Sequence, residues 1–121
     1  MSDNKGYGKI GEKITAEYLK KQGFIITKMN YRTRHGEIDI VAEYKSFLVF
    51  VEVKTREENS FISGEEAITP QKQMRIKSAA KHFLSSVDTD YRVRFDAAIV
   101  TVKNNDGKQA FALRYIKNAF M

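Results

Sequence analysis

The sequence contains no cysteine and no tryptophan, and it has only two histidines and one proline. Without cysteine, the chain has no disulfide, no thiolate zinc site and no cysteine nucleophile. The longest unbroken apolar run, residues 47–51, is far shorter than the roughly 20 residues that a membrane helix needs. Residues 1–9 are too polar for a signal peptide. We therefore expect a cytoplasmic protein with no membrane partner.

The composition that remains is that of a folded domain. Hydrophobic residues make up 42% of the chain and charged residues 30%, which is ordinary for a soluble globular protein. A length of 121 residues suits one hydrophobic core, so we predict a single domain over residues 1–121. The net charge of +6 favours polyanionic partners, but many proteins that bind none share such an excess.

Hydrophobic periodicity predicts the order helix, three strands, helix, two strands. The predicted ranges are 6–22, 24–34, 37–43, 47–54, 70–86, 91–103 and 108–116. This order indicates an α/β fold in which helices flank a mixed central β-sheet. Strand 47–54 is apolar on both faces, so it should be central and covered on both sides. Residues 55–68 are rich in Asn, Ser, Gly and Glu, which is typical of a mobile surface loop.

Two acidic residues are predicted to meet on neighbouring strands. If a two-residue loop joins strands 37–43 and 47–54, Asp39 lies directly opposite Glu52. Carboxylates about 5 Å apart repel by roughly 3 kcal/mol at an effective dielectric constant of about 20, so a compensating charge is needed. Lys54 shares a face with Glu52 and supplies one positive charge. Glu12, which lies in an otherwise small and apolar row of the first helix, would add a third carboxylate.

Three carboxylates and one ammonium group leave a residual charge of −2, which matches one divalent cation. The candidate ligands, Asp39 and Glu52 with the carbonyl of Val53 and with Glu12, are all oxygen atoms, which favours Mg²⁺ or Mn²⁺ over zinc. Such an ion beside a lysine is the usual apparatus for hydrolysing a phosphodiester. Lys54 would orient or deprotonate the attacking water, or stabilise charge on the phosphorus group. An ion-pair ladder on an exposed strand is the structural alternative.

Four stretches of the sequence carry a resemblance to a known family. They are GEIDIVA at residues 36–42, FVEVKTR at 50–56, EEAITPQKQ at 65–73 and IKNAF at 116–120. Together they closely resemble the YraN family over nearly the whole chain. The resemblance implies a restriction-endonuclease-like fold of the PD-(D/E)xK nuclease superfamily, related to Holliday-junction resolvases.

The resemblance also implies which residues form the site. Asp39, Glu52 and Lys54 match the superfamily signature, although Ile38 stands where the signature's name expects proline. The site residues that it implies are Glu12, Asp39, Glu52, Lys54 and Gln73. Of these, Glu12 corresponds to an acid that resolvase-like members contribute from the first helix, and Gln73 to a polar residue of the second helix. A hydrogen bond at the end of the helix explains Gln73 equally well.

Basic residues near the inferred acids would receive a phosphate backbone. The residues predicted to bind nucleic acid are Arg32, Arg34, Arg56, Lys72 and Arg75. The basic surface of the second helix also fits a solvated helix face. Asp96 interrupts an apolar strand, and we expect it to pair with a neighbouring arginine, Arg92 or Arg94.

The leading prediction is a metal-dependent nuclease that hydrolyses phosphodiester bonds in DNA, with branched or structured DNA as a further expectation. The alternative is a non-catalytic nucleic-acid-binding module that retains the nuclease fold. A structural protein without a nucleic-acid partner is the third hypothesis. Because resolvase-like proteins commonly act as dimers, the resemblance also allows a homodimer.

Overall fold

The computed structural model describes residues 7–58, 68–87 and 90–120, and in these ranges the chain forms two helices and five strands. The elements are α1 (Tyr7–Lys21), β1 (Ile25–Thr33), β2 (Gly36–Tyr44), β3 (Phe47–Glu57), α2 (Pro70–Leu84), β4 (Arg92–Asn105) and β5 (Lys108–Phe120). This is the predicted order αβββαββ, so the predicted α/β class is confirmed. In the described ranges, neither helix combines the length and the hydropathy needed to cross a membrane.

The five strands form one mixed sheet in the order β1-β2-β3-β4-β5. All neighbouring strands are antiparallel except β3 and β4, which are parallel. A parallel pair needs a crossover connection, and α2 lies in that connection. The helices cover opposite faces of the sheet, with α1 packed mainly on β3 and α2 mainly on β2. The arrangement is a restriction-endonuclease-like α/β fold.

The central strand β3 contributes side chains to two separate cores, as its two apolar faces predict. Phe50 packs in the core that contains Ile76 of α2, whereas Val51 packs in the core that contains Leu19 of α1. All four of these β3 and helix residues are buried. Burial on both faces fixes the register of β3, because a slip of one residue would exchange its two faces.

The predicted surface loop begins later than the sequence pattern indicates. β3 continues to Glu57, and Thr55 is buried within it. Thr55 packs against Gly11 of α1, where an added Cβ would overlap the threonine hydroxyl. Glycine at this position therefore allows α1 to approach the sheet closely. Residues 59–67 of the predicted loop, and residue 6 of the predicted first helix, lie outside the described residues.

A buried carboxylate fastens the end of β5, which continues to Phe120 instead of ending at residue 116. The register of β4 and β5 shifts between Phe95 and Ala97, at the position of Asp96. Asp96 is fully buried and makes the expected pair with Arg94. Its carboxylate accepts hydrogen bonds from Arg94 Nε and Nη2 (both 3.0 Å), the Tyr115 hydroxyl (2.6 Å) and the Asn118 backbone N–H (2.9 Å). Asp96 is therefore a satisfied structural acid.

We expect Asp96→Asn to lower the free energy of unfolding by about 3 kcal/mol, because it leaves a buried guanidinium without its charge partner. The side chain of Arg94 is only 12% exposed, so water cannot replace the lost carboxylate. The matched control is Asp106→Asn in the exposed turn between β4 and β5. For that variant we expect a change within about 0.5 kcal/mol in urea denaturation. Equal effects of the two substitutions would contradict the structural role of Asp96.

Candidate active site

The strands β2 and β3 separate at one end of their hairpin. Their pairing runs from Tyr44 and Phe47 to Ile40 and Val51, so the hairpin has the predicted two-residue loop. Just beyond this last pair, the Val53 N–H donates to Asp39 Oδ2 at 2.7 Å. The Asp39 side chain thus provides the hydrogen-bond acceptor that the backbone of β2 would provide if strand pairing continued. We call this separation of the two strands the fork.

The fork coincides with a reversal of side-chain direction in β2. In a regular strand, residues two apart share a face. Ile38, however, lies in the core beside α2, whereas Ile40 lies in the core beside α1. Asp39, between them, turns into the fork. In the neighbouring strand β1, Asn30 has the left-handed φ of +53° and lies between the residues that pair with Ile38 and Ile40.

The carboxylates of Asp39 and Glu52, called the acid pair below, lie together at the fork, close enough that the charge of Glu52 acts on Asp39. The side chain of Glu52 is only 5% exposed. Burial, followed by the negative charge of Glu52, raises the pKa of Asp39 to about 8. The Val53 N–H opposes this rise, and the charge of Glu12 adds to it. The hairpin register predicted this meeting of the two acids, and the structure brings them together.

Glu12 reaches the same region from α1. Its Oε1 accepts a hydrogen bond of 3.2 Å from Asn30 Nδ2, and both residues line the cavity at the fork. Asn30 was not among the residues predicted for the site. A signal was available, because asparagine is uncommon within strands and is enriched among residues with positive φ.

Two lysines lie beside the acid pair. Lys72 of α2 forms an ion pair with Glu52, with Nζ 2.5 Å from Oε2. The pKa of Lys54 is lowered by burial and by the charge of Lys72, while Glu52 and Asp39 oppose this shift. Lys72 was predicted to bind nucleic acid and was not counted in the predicted charge of the site. With Lys72 included, the predicted charge of −2 becomes −1 when all of the carboxylates are ionised.

The cavity at the fork has a volume of about 450 Å³. It lies where the first turns of α1 and α2 approach the separated strands. Its lining is strongly charged and contains acidic and basic residues in equal number. The lining residues are Gly8, Lys9, Glu12, Asn30, Arg32, Glu37, Asp39, Glu52, Val53, Thr55, Lys72 and Arg75. Such a cavity suits a polar, charged ligand better than an apolar one.

Other predicted site residues occupy different positions. Gln73 donates from Nε2 to the carbonyl of Ile68 at 3.1 Å and so fastens the start of α2. Arg32 lines the cavity and pairs with Glu37 at 3.1 Å, but both side chains are mostly exposed. Arg34 and Arg56 are not among the residues that line this cavity. Their predicted contacts with nucleic acid stay predictions.

The acid pair sets a limit on what metal ion the site can hold. In the described ranges, no group of three or more aspartate, glutamate or histidine side chains is arranged as a complete set of metal ligands. The carboxylates of Asp39 and Glu52 lie together, whereas that of Glu12 accepts a hydrogen bond from Asn30. Mg²⁺ is usually bound through one or two carboxylates, with waters and phosphates completing its coordination. The donor set therefore fits Mg²⁺ or Mn²⁺ and does not form a closed protein cage.

We expect the metal-free protein to lose stability between about pH 4 and pH 8, because the folded state favours the protonated form of Asp39. Its pKa is raised from an ordinary value of 3.8 to about 8, so the stability that this group contributes is complete below the lower value and is lost as the pH rises through the upper value. Asp39→Asn should flatten the profile. Urea denaturation in EDTA at several pH values measures both proteins, and parallel profiles would contradict the prediction.

Matches to known proteins extend over almost the whole chain. Residues 11–100 match the family described as "Uncharacterised protein family UPF0102". A UPF0102 protein from Clostridium botulinum (strain Loch Maree / Type A3) is 40% identical over 119 residues, which cover 97% of this chain and 95% of the relative. The UPF0102 protein of Alkaliphilus metalliredigens is 41% identical over 118 residues, which cover 97% of this chain and 99% of the relative.

A third UPF0102 protein, from Syntrophomonas wolfei, is 42% identical over 118 residues, with 97% of this chain and 99% of the relative covered. The family match includes both strands of the fork and the first turn of α2. These matches show that the chain belongs to the UPF0102 family, which is the YraN family that its motifs resemble.

Proposed function

We propose that this protein is a divalent-metal-dependent nuclease that hydrolyses phosphodiester bonds in DNA. The observation that carries the proposal is the acid pair, which lines a charged cavity. Lys54 is not among the lining residues, but both carboxylates act on its pKa. Membership of UPF0102 names no activity, so the proposal depends on the geometry of this site. Perturbed ionisable groups that converge in a cleft are typical of catalytic centres.

A divalent cation fits the acid pair. Asp39, Glu52 and the carbonyl of Val53 would hold it, and Glu12 would add negative charge. When bound, such an ion supplies a Lewis acid that activates water and neutralises charge on a phosphate. The raised pKa of Asp39 supports this assignment, because burial and the negative charges of Glu52 and Glu12 disfavour its ionised form, and a bound cation would offset them.

The chain also offers a way to attract the phosphate backbone. Both helices start at the cavity, and neither has an acidic residue in its first turn. Lys9 of α1, with Lys72 and Arg75 of α2, lines the cavity. Helix N-termini carry partial positive charge and bind anions favourably. These groups would bring a phosphate towards the acid pair, which would otherwise repel it.

Lys54 would complete the site. Its partial burial and its position two residues after Glu52 keep its ammonium group close to the acids. From there it would orient the attacking water or stabilise the charge that develops on the phosphorus group. The resemblance to Holliday-junction resolvases supports branched or structured DNA as the substrate class. The charged cavity supports a nucleic-acid backbone as the ligand in general.

We expect purified protein, free of host nucleases, to cleave DNA in the presence of Mg²⁺ or Mn²⁺. Labelled four-way junctions, duplexes and single strands are the substrates to compare, with RNA alongside. Asp39→Asn should reduce cleavage about 100-fold or more, because it removes a metal ligand. Asp106→Asn is the matched control and should retain activity. Absence of cleavage of every substrate with both metals, or full activity of Asp39→Asn, would refute the nuclease proposal.

A second prediction separates catalysis from metal binding. Lys54→Ala should abolish turnover while Mn²⁺ affinity, measured by calorimetry, stays close to that of the unaltered protein, because lysine does not ligate the ion. Lys108→Ala removes the same charge at an exposed position of β5 and should change neither property. A loss of Mn²⁺ affinity in Lys54→Ala would assign Lys54 a mainly structural role.

A non-catalytic nucleic-acid-binding module is the second candidate. The observation that favours it is the Lys72–Glu52 ion pair, which partly neutralises the acid pair without a metal. This function predicts salt-sensitive DNA binding that neither EDTA nor Glu52→Gln alters. Binding that depends on a divalent cation would instead favour the nuclease.

A further inference from the structure

The ammonium group of Lys72 would repel a metal ion bound to Glu52, because it already pairs with that carboxylate. Its Nζ lies 2.5 Å from Glu52 Oε2, and the carboxylates of Glu52 and Asp39 line the same cavity. The Lys72 side chain is 35% exposed, whereas that of Glu52 is 5% exposed. Lys72 can therefore leave towards solvent, but Glu52 cannot.

The backbone of Lys72 is fixed independently of its side chain. Its N–H donates to the hydroxyl of Thr69, the N-cap of α2, at 3.2 Å. A change of partner by the ammonium group thus requires only side-chain rotation and leaves the helix start intact. The side chain lines the same cavity as Arg75, so a released ammonium group would lie beside a second cation at the start of α2.

We propose that Lys72 is an exchangeable internal cation that couples metal binding to nucleic-acid binding. In the absence of metal it neutralises Glu52; a divalent cation at the acid pair displaces it, and the freed ammonium group then binds a phosphate. This inference rests on the proposed function, because it assumes both the metal and the nucleic acid. Linkage makes the coupling reciprocal, so that metal strengthens nucleic-acid binding and nucleic acid strengthens metal binding.

The exchange predicts opposite effects of one substitution on two ligands. Lys72→Gln removes the competing charge and keeps a side chain that can donate to Glu52. It should bind Mn²⁺ roughly fivefold or more tightly than the unaltered protein, in the range of ordinary coupling between sites. The same variant should lose the increase in DNA affinity that Mn²⁺ produces, because the released cation is missing.

Calorimetric titration of Mn²⁺ into DNA-free protein tests the first effect. Fluorescence anisotropy with a labelled four-way junction, with and without Mn²⁺, tests the second; a Lys54→Ala background prevents cleavage during this measurement. The matched control is Lys81→Ala, which removes an exposed positive charge from the last turn of the same helix. It should leave Mn²⁺ affinity unchanged and should keep the Mn²⁺-dependent increase in DNA affinity. Thermal denaturation confirms that each variant is folded.

Tighter Mn²⁺ binding by Lys72→Gln, with loss of the Mn²⁺-dependent DNA affinity, would support the inference. Equal Mn²⁺ affinity in Lys72→Gln and the unaltered protein would overturn the exchange while leaving the metal site in place. If neither protein binds Mn²⁺, the proposed function itself fails, and the inference fails with it. A decrease in DNA affinity that is the same with and without Mn²⁺ would make Lys72 an ordinary phosphate contact and would also overturn the coupling.

Discussion

The hydrogen bond from the Val53 N–H to the Asp39 carboxylate is the interaction on which the site depends. It replaces a backbone partner at the point where β2 and β3 stop pairing, so the Val53 N–H keeps an acceptor where the strands separate. The same bond holds the Asp39 carboxylate between the strands, close to Glu52. One polar contact therefore terminates the hairpin, opens the cavity and directs an acid into it.

Asp96, which is buried, and Asp39, which is half-buried, show how surroundings decide the role of a carboxylate. Asp96 receives a guanidinium, a hydroxyl and a backbone N–H, so its charge is balanced and it stabilises the β4–β5 pairing. Asp39 receives one backbone N–H, and burial together with the negative charge of Glu52 raises its pKa. Fully satisfied buried acids are structural features, whereas an acid with excess negative charge around it is suited to binding a cation.

Close packing of both helices brings their first turns to the fork. Gly11 allows α1 to lie directly on Thr55 of β3, and Gly36 at the start of β2 allows the backbone of Arg75 in α2 to approach. A Cβ at either glycine would overlap these neighbours. Since α1 carries Glu12 and α2 carries Lys72, the two glycines determine how near an acid and a base from distant parts of the chain can come to the acid pair.

Local patterns in the sequence were sufficient for the element order, the central position of β3 and the meeting of Asp39 with Glu52. Each of these depends on periodicity or on a short hairpin whose register follows from its loop. The strand ends were less predictable. β5 passes residue 116 because Asn118, with a φ of +53°, donates to an aspartate on another strand, and no local pattern specifies that bond.

The sequence by itself therefore determined the fold class and the pair of acids, because both follow from alternation over a few neighbouring residues. Only the tertiary structure decided that Lys72 neutralises Glu52, that Asn30 holds Glu12 and that Gln73 fastens the start of α2. Lys72 and Asn30 make these contacts with a different secondary-structure element, whereas Gln73 bonds to a residue near it in the chain. The angles and distances at which helices pack on a sheet select among such partners, and local sequence does not encode them.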